Sequence, residues 1–205
     1  MLIQQDHWII EQDFDLTGSY HMLRDEALAL AMRVDPAAQP VLRLYTWQPY
    51  TVSLGYQQKE EDISKERCAE FGIDVVRRPT GGRAVYHSEE LTYAVIMRSD
   101  PKESIAAVHN TIALALLNAL QPIAGGELQM TSARDTAPIR ESYQEGKPTN
   151  IVCFGSTSRY EITWRGKKLV GSAQRRFGDA VLQHGSILIG KEHLRLAQLL
   201  TLTNG

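Results

Sequence analysis

The sequence predicts an α/β domain whose sheet is mixed and mainly antiparallel, with helices on its flanks. The chain has 205 residues, of which 43% are hydrophobic, and this is the size of one domain with an ordinary core. Short runs with strand character follow one another in adjacent groups, and helical patterns separate these groups. That order favours a mixed, mainly antiparallel sheet over a doubly wound parallel one.

The first half of the chain is predicted to begin with a helix over 17–34 and to continue into strands. Thr17 or Ser19 is the expected N-cap of this helix. Apolar residues at helical spacing, such as Leu23 and Val34, form the face that we expect to pack on the core. The patterns that follow predict two strands, a helix and a further strand, over 41–46, 51–56, 60–71 and 73–78.

The second half of the chain is predicted to combine strands with one long helix. The run 91–97 is apolar at nearly every position, which is typical of a strand buried on both faces. A helical stripe predicts a helix over 104–120, and the stretch 121–150 has little periodicity. Two strands and a short helix, over 159–164, 181–189 and 191–200, complete the chain. A connection as long as 121–150 is usually functional or mobile.

Composition and charge argue against several classes of protein. The chain has 22 Lys and Arg against 24 Asp and Glu, so no overall charge favours nucleic acid or an anionic membrane. No apolar run approaches the length of about 18 residues that a spanning helix needs. The acidic stretch 1–15 does not resemble a signal peptide. With Cys68 and Cys153 as its two cysteines, the protein is expected in a reducing cytoplasm.

The first segment with a chemical signature is 77–87, the glycine-pair segment, which reads Arg-Arg-Pro-Thr-Gly-Gly-Arg-Ala-Val-Tyr-His. A strand delivers two arginines into a turn where Gly81 and Gly82 let a ligand approach the backbone closely. Exposed amides beside guanidinium groups suit a phosphate or a carboxylate. A hairpin with solvated arginines explains the same residues, and both interpretations remain open.

The second segment is 165–174, the lysine segment, which reads Arg-Gly-Lys-Lys-Leu-Val-Gly-Ser-Ala-Gln. A turn at Gly166 presents two lysines, and the small residues that follow leave room for another molecule against the chain. On residue types alone, a lysine-rich hairpin tip at the surface is the preferred interpretation.

Two cysteines and a histidine are weaker candidates. Cys153, between Val152 and Phe154, has the setting of a small buried hydrophobe. It becomes a nucleophile only if a cation such as Lys168 or His87 lowers its pKa. Cys68 lies in an amphipathic helix and is expected in the core. A structural, hydrogen-bonded role is favoured for His184.

Taken together, these segments resemble the superfamily of lipoate–protein ligase A, octanoyltransferases and biotin ligases. The resemblance covers almost all of the chain and runs through six segments in family order. These are Met22 with Asp25-Glu26-Ala27, Leu42-Arg43-Leu44-Tyr45 with Trp47, Ser53-Leu54-Gly55-Tyr56-Gln57, the glycine-pair segment, Lys168 with Gly171-Ser172-Ala173-Gln174, and Gln183-His184-Gly185-Ser186-Ile187-Leu188. It implies a single biotin/lipoate-ligase-type catalytic domain over 1–205, without the C-terminal extension usual in the family.

Three details resemble the LipM-type octanoyltransferases within this superfamily. Ligases typically carry a third glycine where this chain has Arg83. LipM-type enzymes have a cysteine in a Val-Cys-Phe context upstream of the lysine, as Val152-Cys153-Phe154 has here. Ligases more often show an Asn-Asp pair where this chain reads Arg159-Tyr160-Glu161. The resemblance therefore implies that Cys153 is the nucleophile and Lys168 the catalytic lysine.

The resemblance also implies a reaction and a substrate-binding set. An octanoyl group would pass from octanoyl-acyl carrier protein, through a Cys153 thioester, to a lysine of a lipoyl domain or of glycine cleavage H protein. No cofactor or metal would take part. The implied substrate-binding residues are Arg77, Arg78, Thr80, Gly81, Gly82, Arg83, Val85, Tyr86, His87, Gly171, Ser172, Ala173, Gln174 and His184.

The acyl carrier protein is acidic, and a basic face is expected to steer it toward the site. Its members would be Arg77, Arg78, Arg83, Arg175 and Arg176. Three alternatives to the octanoyltransferase stay open. They are a lipoate–protein ligase that uses ATP and Mg, an amidotransferase that moves octanoyl between proteins, and a non-catalytic acyl- or protein-binding module.

Overall fold

The computed structural model describes residues 7–124, 126–131 and 161–201. Within these ranges the strands are β1 Ile9–Leu16, β2 Val41–Trp47, β3 Thr51–Leu54, β4 Asp74–Arg77, β5 Val85–His87, β6 Glu90–Arg98, β7 Leu128–Met130, β8 Ile162–Trp164, β9 Lys167–Phe177 and β10 Ala180–Leu188. The helices are α1 Gly18–Val34, α2 Lys65–Glu70, α3 Ile105–Ala124 and α4 Leu196–Leu199, with 3₁₀ turns at Glu60–Asp62 and Glu192–Arg195.

The described strands form two sheets. The large sheet has the order β1-β2-β6-β10-β9-β8-β7, and the small sheet has the order β4-β3-β5. The β1–β2 and β3–β4 pairs are parallel, and the other pairs are antiparallel. The predicted mixed, mainly antiparallel α/β fold is therefore confirmed.

The large sheet is covered on both faces, because successive side chains of a strand point to opposite sides. In β6, Ala94 and Ile96 pack with residues of α1, whereas Tyr93 and Val95 pack with residues of α3. This accounts for the apolar run predicted as a strand buried on both faces. A third cluster joins the small sheet to α2 and α4, and it contains Cys68, which is 1% exposed, as predicted.

The buried face of α1 differs from the predicted one. Thr17 caps the helix as expected, accepting a hydrogen bond from the backbone N–H of Tyr20. The predicted face was wrong for Leu23 and Val34, which are 68% and 76% exposed. The buried residues of α1 include two polar ones, His21 and Asp25. Their hydrogen bonds across the molecule let them replace apolar residues on this face.

Other differences concern strands and one helix. The strands β1 and β9 were not predicted. The sequence of β1 contains several acidic residues, and in β9 the small residues Gly171 and Ser172 interrupt the apolar pattern typical of a strand. The predicted helix over 60–71 is divided, since Ser64 accepts a hydrogen bond from Arg67 N–H and starts α2 afresh. None of the helices in the described ranges combines the length and apolar character required to cross a membrane.

Candidate functional site

An apolar pocket lies where α1, the large sheet and the small sheet meet. It encloses about 410 Å³ of empty space, including open solvent at its mouth. The glycine-pair segment contributes Arg78, Val85 and His87 to its lining. The opposite wall comes from β9 and β10, through Gly171, Ser172, Ala173 and His184. Two segments that are about 90 residues apart in the chain therefore meet at one pocket.

The remaining lining residues were not assigned to the site from the sequence. They are Met22, Tyr45, Trp47, Ser53, Thr92, Gly185 and Ser186. Most of them lie in the stretches that carry the family resemblance, and this was the available signal. Their local patterns are those of ordinary core strands, so no role in a site was predicted for them.

The pocket is open at β9 and β10 and closed at β2 and β3. Ser172, Ala173 and Gly185 are partly exposed. At the other end, Trp47 is 2% exposed and Ser53 is fully buried. Small residues border this open end, and a Cβ added at Gly185 would overlap the carbonyl oxygen of Gly171 on the paired strand. A ligand would therefore lie along the wall that β9 and β10 form and end near Trp47.

Arg78 shapes the glycine-pair segment from inside. It is 4% exposed, and its guanidinium donates hydrogen bonds to the carbonyl oxygens of Ser53 (2.9 Å), Gly81 (2.8 Å) and Arg83 (2.7 Å). The turn lies directly against Gly55, where a Cβ would overlap the carbonyl oxygen of Gly82. Arg78 therefore holds the turn in place and is not a solvated arginine.

The predicted basic face is not formed as expected. The prediction that Arg78 belongs to the basic face was wrong, because Arg78 is buried. Arg77 donates to the carbonyl oxygens of Gly55 at 2.8 Å and Gln58 at 2.6 Å. Arg175 and Arg176 are neighbours in β9, so their side chains leave opposite faces of the sheet. Arg175 donates to Pro79, whereas Arg176 donates to the carbonyl oxygen of Glu103.

Several predicted substrate-binding residues lie outside the apolar pocket. Gly81, Gly82, Arg83 and Gln174 line a separate polar cleft with Tyr56 and Arg175. The aromatic ring of Tyr86 packs in the cluster of the small sheet, α2 and α4. In a β-strand, neighbours point to opposite sides, so Val85 and His87 reach the pocket while Tyr86 does not.

His184 belongs to a buried chain of hydrogen bonds that we call the His184 chain: Thr80, His184 and Asp25. Its Nε2 lies 2.6 Å from the Thr80 hydroxyl, and its Nδ1 lies 2.8 Å from an Asp25 carboxylate oxygen. Burial lowers the pKa of His184, which favours the neutral ring. Because the carboxylate can only accept, Nδ1–H donates to Asp25 and Nε2 accepts from Thr80. The predicted structural, hydrogen-bonded histidine is thus found, at the edge of the pocket.

His87 is held in a similar way, in the His87 chain: Ser53, His87 and Glu90. Its Nε2 lies 2.7 Å from the Ser53 hydroxyl, and its Nδ1 lies 2.7 Å from Glu90 Oε1. The indole of Trp47 stacks on the imidazole, with ring centroids 4.0 Å apart. This stack forms part of the inner wall of the pocket.

Lys168 lies at the start of β9 and is 9% exposed, so the surface hairpin tip preferred from the sequence is wrong for this residue. Its Nζ donates to Glu161 Oε1 at 2.6 Å, and Glu161 is 7% exposed. Sequence reasoning did not assign Glu161 to the site, since nothing local distinguishes it from a surface acid. Cys153, the predicted nucleophile, lies outside the described residues.

Among the residues that the structure describes, no group of three or more His, Cys, Asp or Glu side chains is arranged to hold a metal ion. The arrangement therefore offers an apolar pocket with imidazole and hydroxyl groups at its walls, and a buried ion pair at the start of β9.

Comparison with known proteins identifies the family of this domain. The family model described as lipoyl protein ligase A/B catalytic domain matches residues 18–204. A protein of Moorella thermoacetica named octanoyltransferase LipM is 42% identical over 82% of this chain. Proteins with the same name from Lysinibacillus sphaericus and Bacillus subtilis are 37% and 35% identical over 92% and 96% of the chain. The chain spans 60%, 68% and 70% of the length of these three relatives.

Solved structures share the fold. A Thermoplasma acidophilum protein solved with bound lipoic acid gives a TM-score of 0.69 at 25% identity, covering 96% of this chain and 73% of that one. Lipoate-protein ligase A bound with ATP gives a TM-score of 0.69 at 24% identity, with coverages of 98% and 73%. The match of the family model over most of the chain, the LipM relatives and the shared fold lead to one conclusion: this chain belongs to the lipoyl protein ligase A/B catalytic domain family.

Proposed function

We propose that this domain is a protein octanoyltransferase of the LipM type. It transfers an octanoyl group from octanoyl-acyl carrier protein to a lysine of a lipoyl-accepting protein, either a lipoyl domain or glycine cleavage H protein. The observation that carries the proposal is the apolar pocket, which the glycine-pair and lysine segments line from two sides. The resemblance to proteins named octanoyltransferase LipM supports the choice of acyl group.

The pocket suits a saturated acyl chain. Each buried methylene contributes about 0.8 kcal/mol, so an eight-carbon chain gains several kcal/mol on leaving water. The acyl chain would lie along the wall that β9 and β10 form, with its end toward the stacked Trp47 and His87 rings. Its carbonyl would then remain at the open end, near Gly171 and Ser172.

The reaction would proceed in two acyl transfers. The Cys153 thiolate attacks the octanoyl carbonyl, forms a new carbon–sulfur bond and releases the thiolate of the carrier protein, which takes up a proton. The lysine amine of the acceptor then attacks the Cys153 thioester. The amide bond forms, the amine loses a proton and the Cys153 thiolate is released. Because the donor thioester is already activated, neither step requires ATP.

Lys168 is assigned an electrostatic role in both transfers. Its ammonium stabilises the thiolate of Cys153 and the oxyanion that develops on the carbonyl. Its burial supports this assignment, since charges interact more strongly where water is excluded.

The test is the intact mass of the protein after incubation with octanoyl-acyl carrier protein in the absence of ATP. We expect an octanoyl adduct that hydroxylamine removes, that passes to H protein and that is absent from Cys153→Ser. An active Cys153→Ser protein would refute the thioester intermediate. Pyrophosphate release with lipoate and Mg-ATP, without an adduct, would favour the ligase. Acyl binding without turnover would favour the non-catalytic module, and a preference for an octanoylated protein as donor would favour the amidotransferase.

A further inference from the structure

We propose that Glu161 is a positioning residue for Lys168. Its carboxylate fixes the direction of the buried ammonium and balances its charge, on the face of the sheet that also carries the pocket residues Gly171 and Ala173. The inference deepens the proposed octanoyl transfer and rests on it. It assigns a role to a residue outside the glycine-pair and lysine segments.

A β-bulge places Lys168 on the side of the sheet that carries the pocket. Between β8 and β9, Ile162 pairs with Val170 but Thr163 pairs with Lys168, so one step on β8 faces two steps on β9. Leu169 and Val170 consequently both pack in the cluster that contains residues of α3. Without the bulge, Lys168 would share that face with Val170. The bulge turns it to the opposite face, which is that of Gly171 and Ala173.

Glu161 reaches Lys168 from the neighbouring strand and is itself fixed. Its N–H donates to the Thr131 hydroxyl at 3.1 Å, and its carbonyl oxygen accepts from Thr131 N–H at 2.8 Å. Glu161 is two residues before Thr163, so by alternation its side chain leaves the strand on the face of Lys168. The 2.6 Å contact between Oε1 and Nζ follows from this placement.

The Glu161 carboxylate matters for Lys168 because both side chains of this ion pair are buried. An ammonium buried to this degree is unfavourable without a counter-charge, so the two charges depend on each other. His109 of α3 also interacts electrostatically with Glu161. Burial lowers the pKa of His109, which favours its neutral ring.

The test is a double-mutant cycle measured on octanoyl transfer. Glu161→Gln keeps the size of the side chain and removes its charge. We expect it to lower kcat about tenfold while KM for the octanoyl donor changes little, because the pocket walls are untouched. Lys168→Ala should lose at least as much. The double variant should be no slower than Lys168→Ala, because Glu161 acts through Lys168.

A conservative and a matched control variant complete the experiment. Glu161→Asp restores the charge at a shorter reach and should recover part of kcat, and it replaces Glu161→Gln in the cycle if that variant does not fold. Glu127→Gln removes an exposed ion pair with Arg165 at the same edge of the sheet and should leave kcat unchanged.

Additive losses in the double variant, or an unchanged kcat in Glu161→Gln, would overturn the inference. A wild-type protein that forms no octanoyl adduct would instead overturn the proposed function, so the two failures are distinguishable.

Discussion

The two histidines that line the apolar pocket are each held between a hydroxyl and a carboxylate, yet the two chains have different surroundings. In the His184 chain, Asp25 also accepts hydrogen bonds from the Tyr45 hydroxyl at 3.0 Å and from the buried guanidinium of Arg43. Arg43 is fully buried and also contacts Glu11 and Asp13. This chain is therefore part of a buried charge network that links α1, β1, β2 and β10.

In the His87 chain the carboxylate has two hydroxyl groups as partners besides the imidazole. Glu90 Oε1 accepts from the hydroxyl groups of Thr92 at 2.6 Å and Ser186 at 2.7 Å, besides His87. The Trp47 indole donates to Thr92 at 2.7 Å and so closes the network. The charged group of Arg78 approaches this chain at its other end, where Nη1 donates to the Ser53 hydroxyl at 3.1 Å.

The comparison shows that one geometry can serve different purposes. A hydroxyl, an imidazole and a carboxylate in sequence are also the groups of hydrolytic triads. Here both hydroxyls are fully buried and hydrogen-bonded inside the protein, so they position other groups instead of attacking a substrate. The His184 chain ties the glycine-pair segment to α1 through Thr80. The His87 chain fixes the aromatic inner wall of the pocket.

The largest difference between the chains is expected when their carboxylates are neutralised. Asp25→Asn removes a charged partner from buried Arg43 and should cost about 3 kcal/mol of unfolding free energy. Glu90→Gln keeps an acceptor for the hydroxyl donors of Thr92 and Ser186 and should cost about 1 kcal/mol. Urea denaturation of the two variants measures both values. Equal losses would show that the charge of Arg43 does not distinguish the chains.

A smaller difference is expected when the hydroxyls are removed. Thr80→Val leaves His184 Nε2 as a buried acceptor without its donor and should cost about 2 kcal/mol. Ser53→Ala should cost about 1 kcal/mol, because Arg78 keeps its bond to the Ser53 carbonyl oxygen at 2.9 Å. Thermal unfolding compares the two variants. A larger loss for Ser53→Ala would reverse the proposed order of the chains.

The smallest effect concerns pH. Burial lowers the pKa of His184 and His21 below their ordinary value of 6.5, so below about pH 6.5 the unfolded chain binds more protons than the folded one. The contribution of these histidines to the free energy of unfolding is therefore expected to be fully present above this pH. Below it, the free energy of unfolding should fall by at most about 1.4 kcal/mol per pH unit for each histidine.

Unfolding free energies between pH 5 and 7.5 measure this dependence. His184→Gln should flatten it, whereas the control His7→Gln, at an exposed position, should leave it unchanged. An equally steep dependence in His184→Gln would show that His184 does not contribute.

The sequence alone predicted the fold class, the N-cap at Thr17 and the core position of Cys68. It also identified the two segments that meet at the pocket. These features are local: alternation, helical spacing and capping residues report which positions are buried and where elements begin. Resemblance supplied the family, because the order of six short segments carries more information than any one of them.

Local patterns did not show where the strongly polar side chains go. Arg78 was predicted as part of a basic face and is buried, because one carbonyl oxygen of β3 and two of its own turn satisfy its donors. Asp25 occupies the buried face of α1 in place of predicted Leu23, for a similar reason. Periodicity assigns polar residues to the surface, and only a partner far along the chain reverses that assignment.

The sequence by itself thus determined the fold class, the family, the segments that carry chemistry and many, though not all, of the helices and strands. The tertiary structure decided which residues of those segments face the pocket and which partners they have. The pairing of Lys168 with Glu161 is the clearest case, since it depends on a one-residue bulge between β8 and β9. A shift of one residue exchanges the two faces of a strand, and the pairing register, which sets that shift, is a property of both strands together.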